Sequence, residues 1–215
     1  MNDRTKAPVK WCEISDASEK IRFEVLSQEI KKAGRENTLE FLSCDEATFS
    51  DVLAKAEKEF DGIRLSGNAS EWILTRTEHI PALTASLQFA DAMTKEIIKD
   101  GTKPARWWAH CFMFDGLNRS LASSPTTPDI SGAVFILGAQ PVTRILIGAL
   151  SRIGFTRFNV VDPDETKAQV FCEMLKKKFF GLEIHSVARH YMTQLPGIHS
   201  VAINVIAQGK DDGAL

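Results

Sequence analysis

The segment Ala133-Val134-Phe135-Ile136-Leu137 constrains the fold of this chain more than any other. Five consecutive apolar residues with no polar alternation describe a strand buried on both faces, as in a parallel sheet. The run stops at Gly138. Behind it Val142, Ile145, Leu146, Ala149, Leu150 and Ile153 recur at helical spacing, and Gly154 ends the helix. Phe158 to Val161 reads as a second strand, closed by Asp162. Ala168, Phe171, Cys172, Leu175 and Phe179 mark the next helix, whose end carries Lys176-Lys177-Lys178, cations suited to a helix C-terminus. Leu182 to Val187 and Val201 to Ile206 complete the series as third and fourth strands.

Parallel strands joined through helices cross over right-handed almost without exception, which makes this half a Rossmann-like βαβ fold. The other half repeats the rhythm less cleanly. Val9 to Ile14 reads as a strand. Ser18 suits a helix N-cap, and Ile21, Val25, Leu26, Ile30 and Ala33 form a stripe ending at Gly34. Thr38 to Ser43 and Gly62 to Ser66 read as strands, with a helix at Phe49, Val52, Leu53 and Ala56 between them. The pattern predicts a helix over Ile80 to Ile98, interrupted near its start by Pro81, then a strand over Ala105 to Phe114. The breaker-rich stretch Ser123 to Asp129 separates the halves. The expected fold class is therefore α/β with two domains: 1–123, an N-terminal α/β domain, and 124–215, a Rossmann-like NAD(P)-binding fold.

A formal net charge of −2 argues against nucleic acid or an anionic membrane surface as partner. No apolar run approaches the ~18 residues of a membrane span, and the start, MNDRTKAPVK, has no secretion-signal core. A cytoplasmic protein is expected. Cys12, Cys44, Cys111 and Cys172 form no CxxC pair and sit in apolar segments, as reduced core residues do. His79, His110, His185, His190 and His199 show no ligand spacing, so no metal is expected. Trp107-Trp108 followed by His110, Phe112 and Phe114 places aromatic side chains alternately on a strand, as a core wall or an interface does.

The turn after the first buried strand is where chemistry would sit. A dinucleotide site needs one glycine for the tight turn and a second that lets bare backbone meet the pyrophosphate at the helix N-terminus. Gly138 supplies the first. Gln140 stands where the second belongs, and Pro141 fits the first helical position but removes an N–H. Asp162, at the end of the second strand, lies where an acid holds a ribose hydroxyl; it would repel a 2′-phosphate. Two readings stay open: a nucleotide site that takes NAD rather than NADP, and a scaffold that kept the fold and binds no nucleotide.

The order of these elements resembles the shikimate dehydrogenase family along nearly the whole chain, which implies that 1–123 is of that family's substrate-binding type and that 124–215 is a shortened form of its Rossmann-like domain. Asp129 to Ala139 is similar to the family's lead into its glycine loop, and Arg144 falls where that loop ends in a basic residue. Phe60 to Ser66 looks like the segment before the family's catalytic lysine, Asp115-Gly116 like the end of its Asn-Thr-Asp-Gly motif, and Ser200 to Gly209 like the strand and turn beside the nicotinamide. The resemblance implies Gly138, Ala139, Arg144 and Asp162 as cofactor-binding residues, Ser18 as substrate-binding and Asp115 as the surviving acid/base. It also marks departures. The lysine position falls at Ser70, and serine takes up a hydroxyl proton only with a base beside it. Met113-Phe114 replace the Asn-Thr, Asp16 replaces one of two substrate-binding serines, and Asp162-Pro163-Asp164 replace the NADP-selecting Asn-Arg-Thr.

Family members continue past the region of Gly209, whereas this chain ends at Leu215, which implies either a shortened sequence or a sheet edge open to another chain. Three functions follow as expectations: a shikimate-dehydrogenase-like protein turned non-catalytic binding or scaffold module; an NAD(H)-dependent oxidoreductase acting on another small hydroxy or keto substrate; or a nucleotide sensor without turnover. Expected partners are a small molecule in the cleft between domains and a second chain in a homo- or hetero-oligomer.

Overall fold

A computed structural model describes residues 9–32, 38–96, 105–125, 128–194 and 200–206. Ala33 and Gly34, part of the Ser123–Asp129 linker, His199 and Gly209 lie outside the described residues. The chain divides into two compact units, 1–112 and 113–215.

The first unit carries β1 (Lys10–Ser15), α1 (Lys20–Lys32), β2 (Thr38–Ser43), α2 (Phe49–Glu59), β3 (Gly62–Leu65), two short helices α3 (Ala69–Trp72) and α4 (Ala82–Leu87), then β4 (Ala92–Glu96) and β5 (Arg106–His110). The sheet order is β2-β1-β3-β4-β5, with β1 parallel to both neighbours and β4 antiparallel to β3 and β5. Alternation along the strands assigns the two faces. Cys12, Ile14, Ile63, Leu65 and Met93 point into a core with Phe49, Leu53 and Ala56 of α2 and Ile73. Trp11, Glu13 and Ser15 therefore take the opposite face. Gly62 is required there, because a Cβ would overlap the indole of Trp11.

Three expectations change in this unit. The helix predicted over Ile80 to Ile98 is only α4. Gln88, in the left-handed conformation at φ 49°, ends it, and the second half is strand β4. Ala-Met-Thr-Lys-Glu carries mostly helix-favouring residues, but ladders on both sides hold it extended, an override that long-range pairing exerts on local propensity. The strand predicted to Phe114 stops at His110, and Phe112 and Phe114 belong to the next helix, so the aromatic alternation ends there. On α1 the buried residue is Phe23, which packs on Phe41 with ring centroids 5.2 Å apart, while Ile21 and Val25 of the expected stripe stand exposed.

The second unit begins with α5 (Phe112–Ala122) from Met113 and continues as β6 (Val134–Leu137), α6 (Pro141–Arg152), β7 (Arg157–Val161), α7 (Glu165–Lys176), β8 (Glu183–Ser186) and β9 (Val201–Asn204). All four strands are parallel, in the order β8-β7-β6-β9, the doubly wound arrangement read from the sequence. Val134, Ile136, Phe158 and Val160 meet Ile147 and Leu150 of α6 and Phe171 and Leu175 of α7, with Leu121 packed against this core. The four cysteines are free and buried. Among the described residues no helix is long and apolar enough to cross a membrane.

Candidate functional site

In an open parallel sheet, ligands are taken at the carboxyl ends of the strands where the order reverses. In the second unit that point lies between β6 and β9. Gly138 makes the turn at φ +115°, a conformation side chains rarely adopt, and a Cβ there would stand 2.8 Å from Val205 Cγ2. Its N–H donates to the carbonyl of Val161 at 2.7 Å.

Every following amide of the turn for which a bond is recorded is committed within the chain. Ala139, itself buried, donates its N–H to Asp162 Oδ2 at 2.7 Å. The N–H of Gln140 points to Thr143 Oγ1 at 3.4 Å, the hydroxyl of Thr143 donates to the carbonyl of Gly138 at 2.7 Å, and the N–H of Thr143 returns to the carbonyl of Gln140. Pro141, at the first helical position as expected, has no N–H to offer. Asp162 is 6% exposed. Its Oδ1 accepts from the N–H of Asp164 at 3.1 Å, and Lys167 Nζ lies 3.6 Å from Oδ2. Gly138, Ala139 and Asp162 thus come together at the turn, and Arg144 follows on α6. It is 9% exposed, with its guanidinium carbon 5.8 Å from the ring centroid of Phe171. The N–H groups of Ala139, Gln140 and Thr143 are thus engaged within the chain, Pro141 offers none, and Arg144 is buried.

In the first unit the corresponding strand ends hold a polar cluster. Glu13, fully buried in β1, places Oε1 2.5 Å from the donating Ser66 hydroxyl and Oε2 3.0 Å from Arg64 Nη1; Arg22 Nη2 stands 3.5 Å from Oε1. Gly67, at φ +57°, passes beneath Asp16, whose Oδ2 would lie 2.5 Å from a Cβ, with Ser15 Oγ at 3.1 Å. Ser70, on α3, is 0% exposed, and its hydroxyl has no hydrogen-bond partner among the described residues. Ser18 lies in the 3₁₀ turn Ala17–Glu19, and its side chain lies outside the description. The buried Glu13 escaped the sequence reading. The available signal was a lone carboxylate in the middle of an otherwise strand-like KWCEIS.

Asp115 sits in the first turn of α5 but not at its start, and it is exposed. Asp91 instead caps that helix, accepting the N–H of Phe112 at 2.7 Å. No three His, Cys, Asp or Glu side chains among the described residues converge as a metal site. Burial pushes the thiol of Cys12 up to about 12 and those of Cys44 and Cys172 up to about 11, so none is a nucleophile near neutrality.

A mixed-sheet α/β unit followed by a doubly wound parallel one defines a two-unit, Rossmann-like α/β fold. The particular fold is that of the shikimate and quinate dehydrogenases. Quinate dehydrogenase from Corynebacterium glutamicum in complex with NAD matches with a TM-score of 0.73 at 15% identity, over 93% of this chain and 71% of that one. Shikimate dehydrogenase from Aquifex aeolicus matches at 0.69 and 14%, over 99% and 73%. The Mycobacterium tuberculosis shikimate dehydrogenase matches at 0.65 and 17%, over 93% and 71%. No family model matches the sequence, and no curated protein matches it significantly.

Proposed function

We propose that this chain is a shikimate-dehydrogenase-like protein that has lost dehydrogenase turnover and serves as a non-catalytic binding or scaffold module, with a second chain as its partner. The observation that carries the reading is Ser70. Removing hydride from a secondary alcohol requires a group to accept the hydroxyl proton. At the position the resemblance gives to a lysine stands a serine that is fully enclosed and without a bonded base. Asp115 is exposed on α5. The occupied amides of the Gly138 turn support the same reading from the cofactor's side.

A second reading is favoured by one observation, the carboxylate of Asp162 beside the turn at the end of β7. It keeps an NAD(H)-dependent oxidoreductase or sensor in which Asp162 selects the unphosphorylated ribose. Calorimetric titration with NADH and NADPH, and in separate mixtures the rise in absorbance at 340 nm when NAD+ or NADP+ is supplied with quinate or shikimate, separates the two. The scaffold reading expects no heat at millimolar nucleotide and no turnover. Micromolar binding of NADH alone would sink it in favour of the second.

A further inference from the structure

We infer that the turn after β6 is an anion-binding turn filled by the chain itself, with Asp162 and Thr143 supplying the oxygens that a ligand's phosphate would otherwise bring. A strand-to-helix turn of this kind exposes backbone N–H groups at the positive end of a helix, and such groups either meet an anion or must find other acceptors. Here the acceptors are internal and close. The carboxylate of Asp162 takes the N–H of Ala139 at 2.7 Å in a buried contact, and the hydroxyl of Thr143 faces the N–H of Gln140 while anchoring itself on the carbonyl of Gly138.

The arrangement is held from behind. Asp162 is oriented by the N–H of Asp164 and balanced by Lys167, so its charge is offset without a ligand. Val205 and Ile206, following β9, lie against the α-carbon of Gly138. Asp164 and Glu165 at the head of α7 add negative charge beside Asp162, an unfavourable field for an incoming phosphate. The turn is therefore ordered in the free protein. Asp162 and Thr143 are positioning residues of the backbone rather than ligand contacts. A turn closed in this way is compatible with any outcome at Ser70, so this inference and the loss of turnover stand or fall separately.

Amide hydrogen exchange on the full chain without ligand tests it directly. The amides of Ala139 and Gln140 are expected to be protected. Asp162→Ala should speed exchange at Ala139 at least about tenfold, the equivalent of one net hydrogen bond, and leave Gln140 protected; Thr143→Val should do the reverse. Asp162→Asn keeps a carbonyl acceptor and should retain most of the protection at Ala139. Unchanged exchange at Ile136 and Val160 guards against general unfolding. Inorganic pyrophosphate at millimolar levels should leave both resonances in place in the unsubstituted chain and shift that of Ala139 in Asp162→Ala. Unprotected amides in the unsubstituted chain would overturn the inference, and so would micromolar pyrophosphate shifting them there.

Discussion

The substitution Gly138→Ala should separate what this turn demands from what glycine costs in general. At φ +115° the new side chain meets backbone strain of about 1–3 kcal/mol. Its Cβ would also stand 2.8 Å from Val205 Cγ2 and 3.1 Å from Ile206 Cγ1, closer than carbon atoms tolerate. Both neighbours are side-chain ends that move by a few tenths of an ångström, so overpacking adds toward the lower end of its usual range, about 1 kcal/mol. The expected total is about 3 kcal/mol. The same chemical change at Gly116 carries the opposite sign. That residue is in α5 with nothing within 4 Å of an added Cβ, and alanine there should stabilise by about 0.5–1 kcal/mol through helix propensity and a less disordered unfolded chain. Urea unfolding followed by circular dichroism gives the two differences, and hydrogen exchange at β6 and β7 localises the first. A loss below about 1 kcal/mol at Gly138 would refute the description of this turn, and an equal loss at Gly116 would show that the effect is generic.

Glu13→Gln should cost about 2 kcal/mol in urea unfolding. A broken buried pair costs more, but Arg64 and Arg22 are 35% and 54% exposed and water screens the charges left behind; a change under about 0.5 kcal/mol would mean the network is slack. Asp164→Ala should cost about 1 kcal/mol, since its side chain accepts the N–H of Lys167 at the head of α7, and Asp164→Ser should restore most of it. Stability should fall on the alkaline side. The folded chain holds the Cys12, Cys44 and Cys172 thiols protonated up to about 12, 11 and 11, whereas unfolded thiols ionise from about 9.0. Stability from these groups is thus intact below 9 and lost between 9 and 11–12. Thermal unfolding at pH 8 and pH 10, with a triple Cys→Ala variant as reference, measures the difference.

Much of the second unit was legible because its signals are local. An apolar run, a glycine, a helical stripe and a closing acid follow one another within a few residues, and each finds its predicted element. Two of the turn's residues were legible as well, Gly138 for positive φ and Pro141, at the first helical position, as a lost donor. Their hydrogen bonds were not. That Asp162 accepts the N–H of Ala139 depends on how β6 and β7 lie side by side, which no spacing encodes. Arg144 was placed at the loop's end by the family resemblance, and what its guanidinium packs against, the ring of Phe171 on another helix, was not legible. In the first unit Ser70 could be assigned to the lysine's place by counting, but its complete enclosure comes from tertiary packing.

By itself the sequence determined where polar and apolar residues alternate, where glycine and proline stop an element, and hence the doubly wound order of the second half. Only the tertiary structure decided the fate of residues with two local options. Ala92–Glu96 became a strand because β3 and β5 offer it hydrogen bonds on both edges, and Phe112 opened a helix because Asp91, just ahead of β4, caps it. Glu13 became a buried carboxylate because two arginines from elsewhere in the chain reach it. The physical reason is common to all three. Periodicity reports which side of an element avoids water, whereas hydrogen bonds and ion pairs are made by groups distant in sequence, and their partners exist only once the chain has closed.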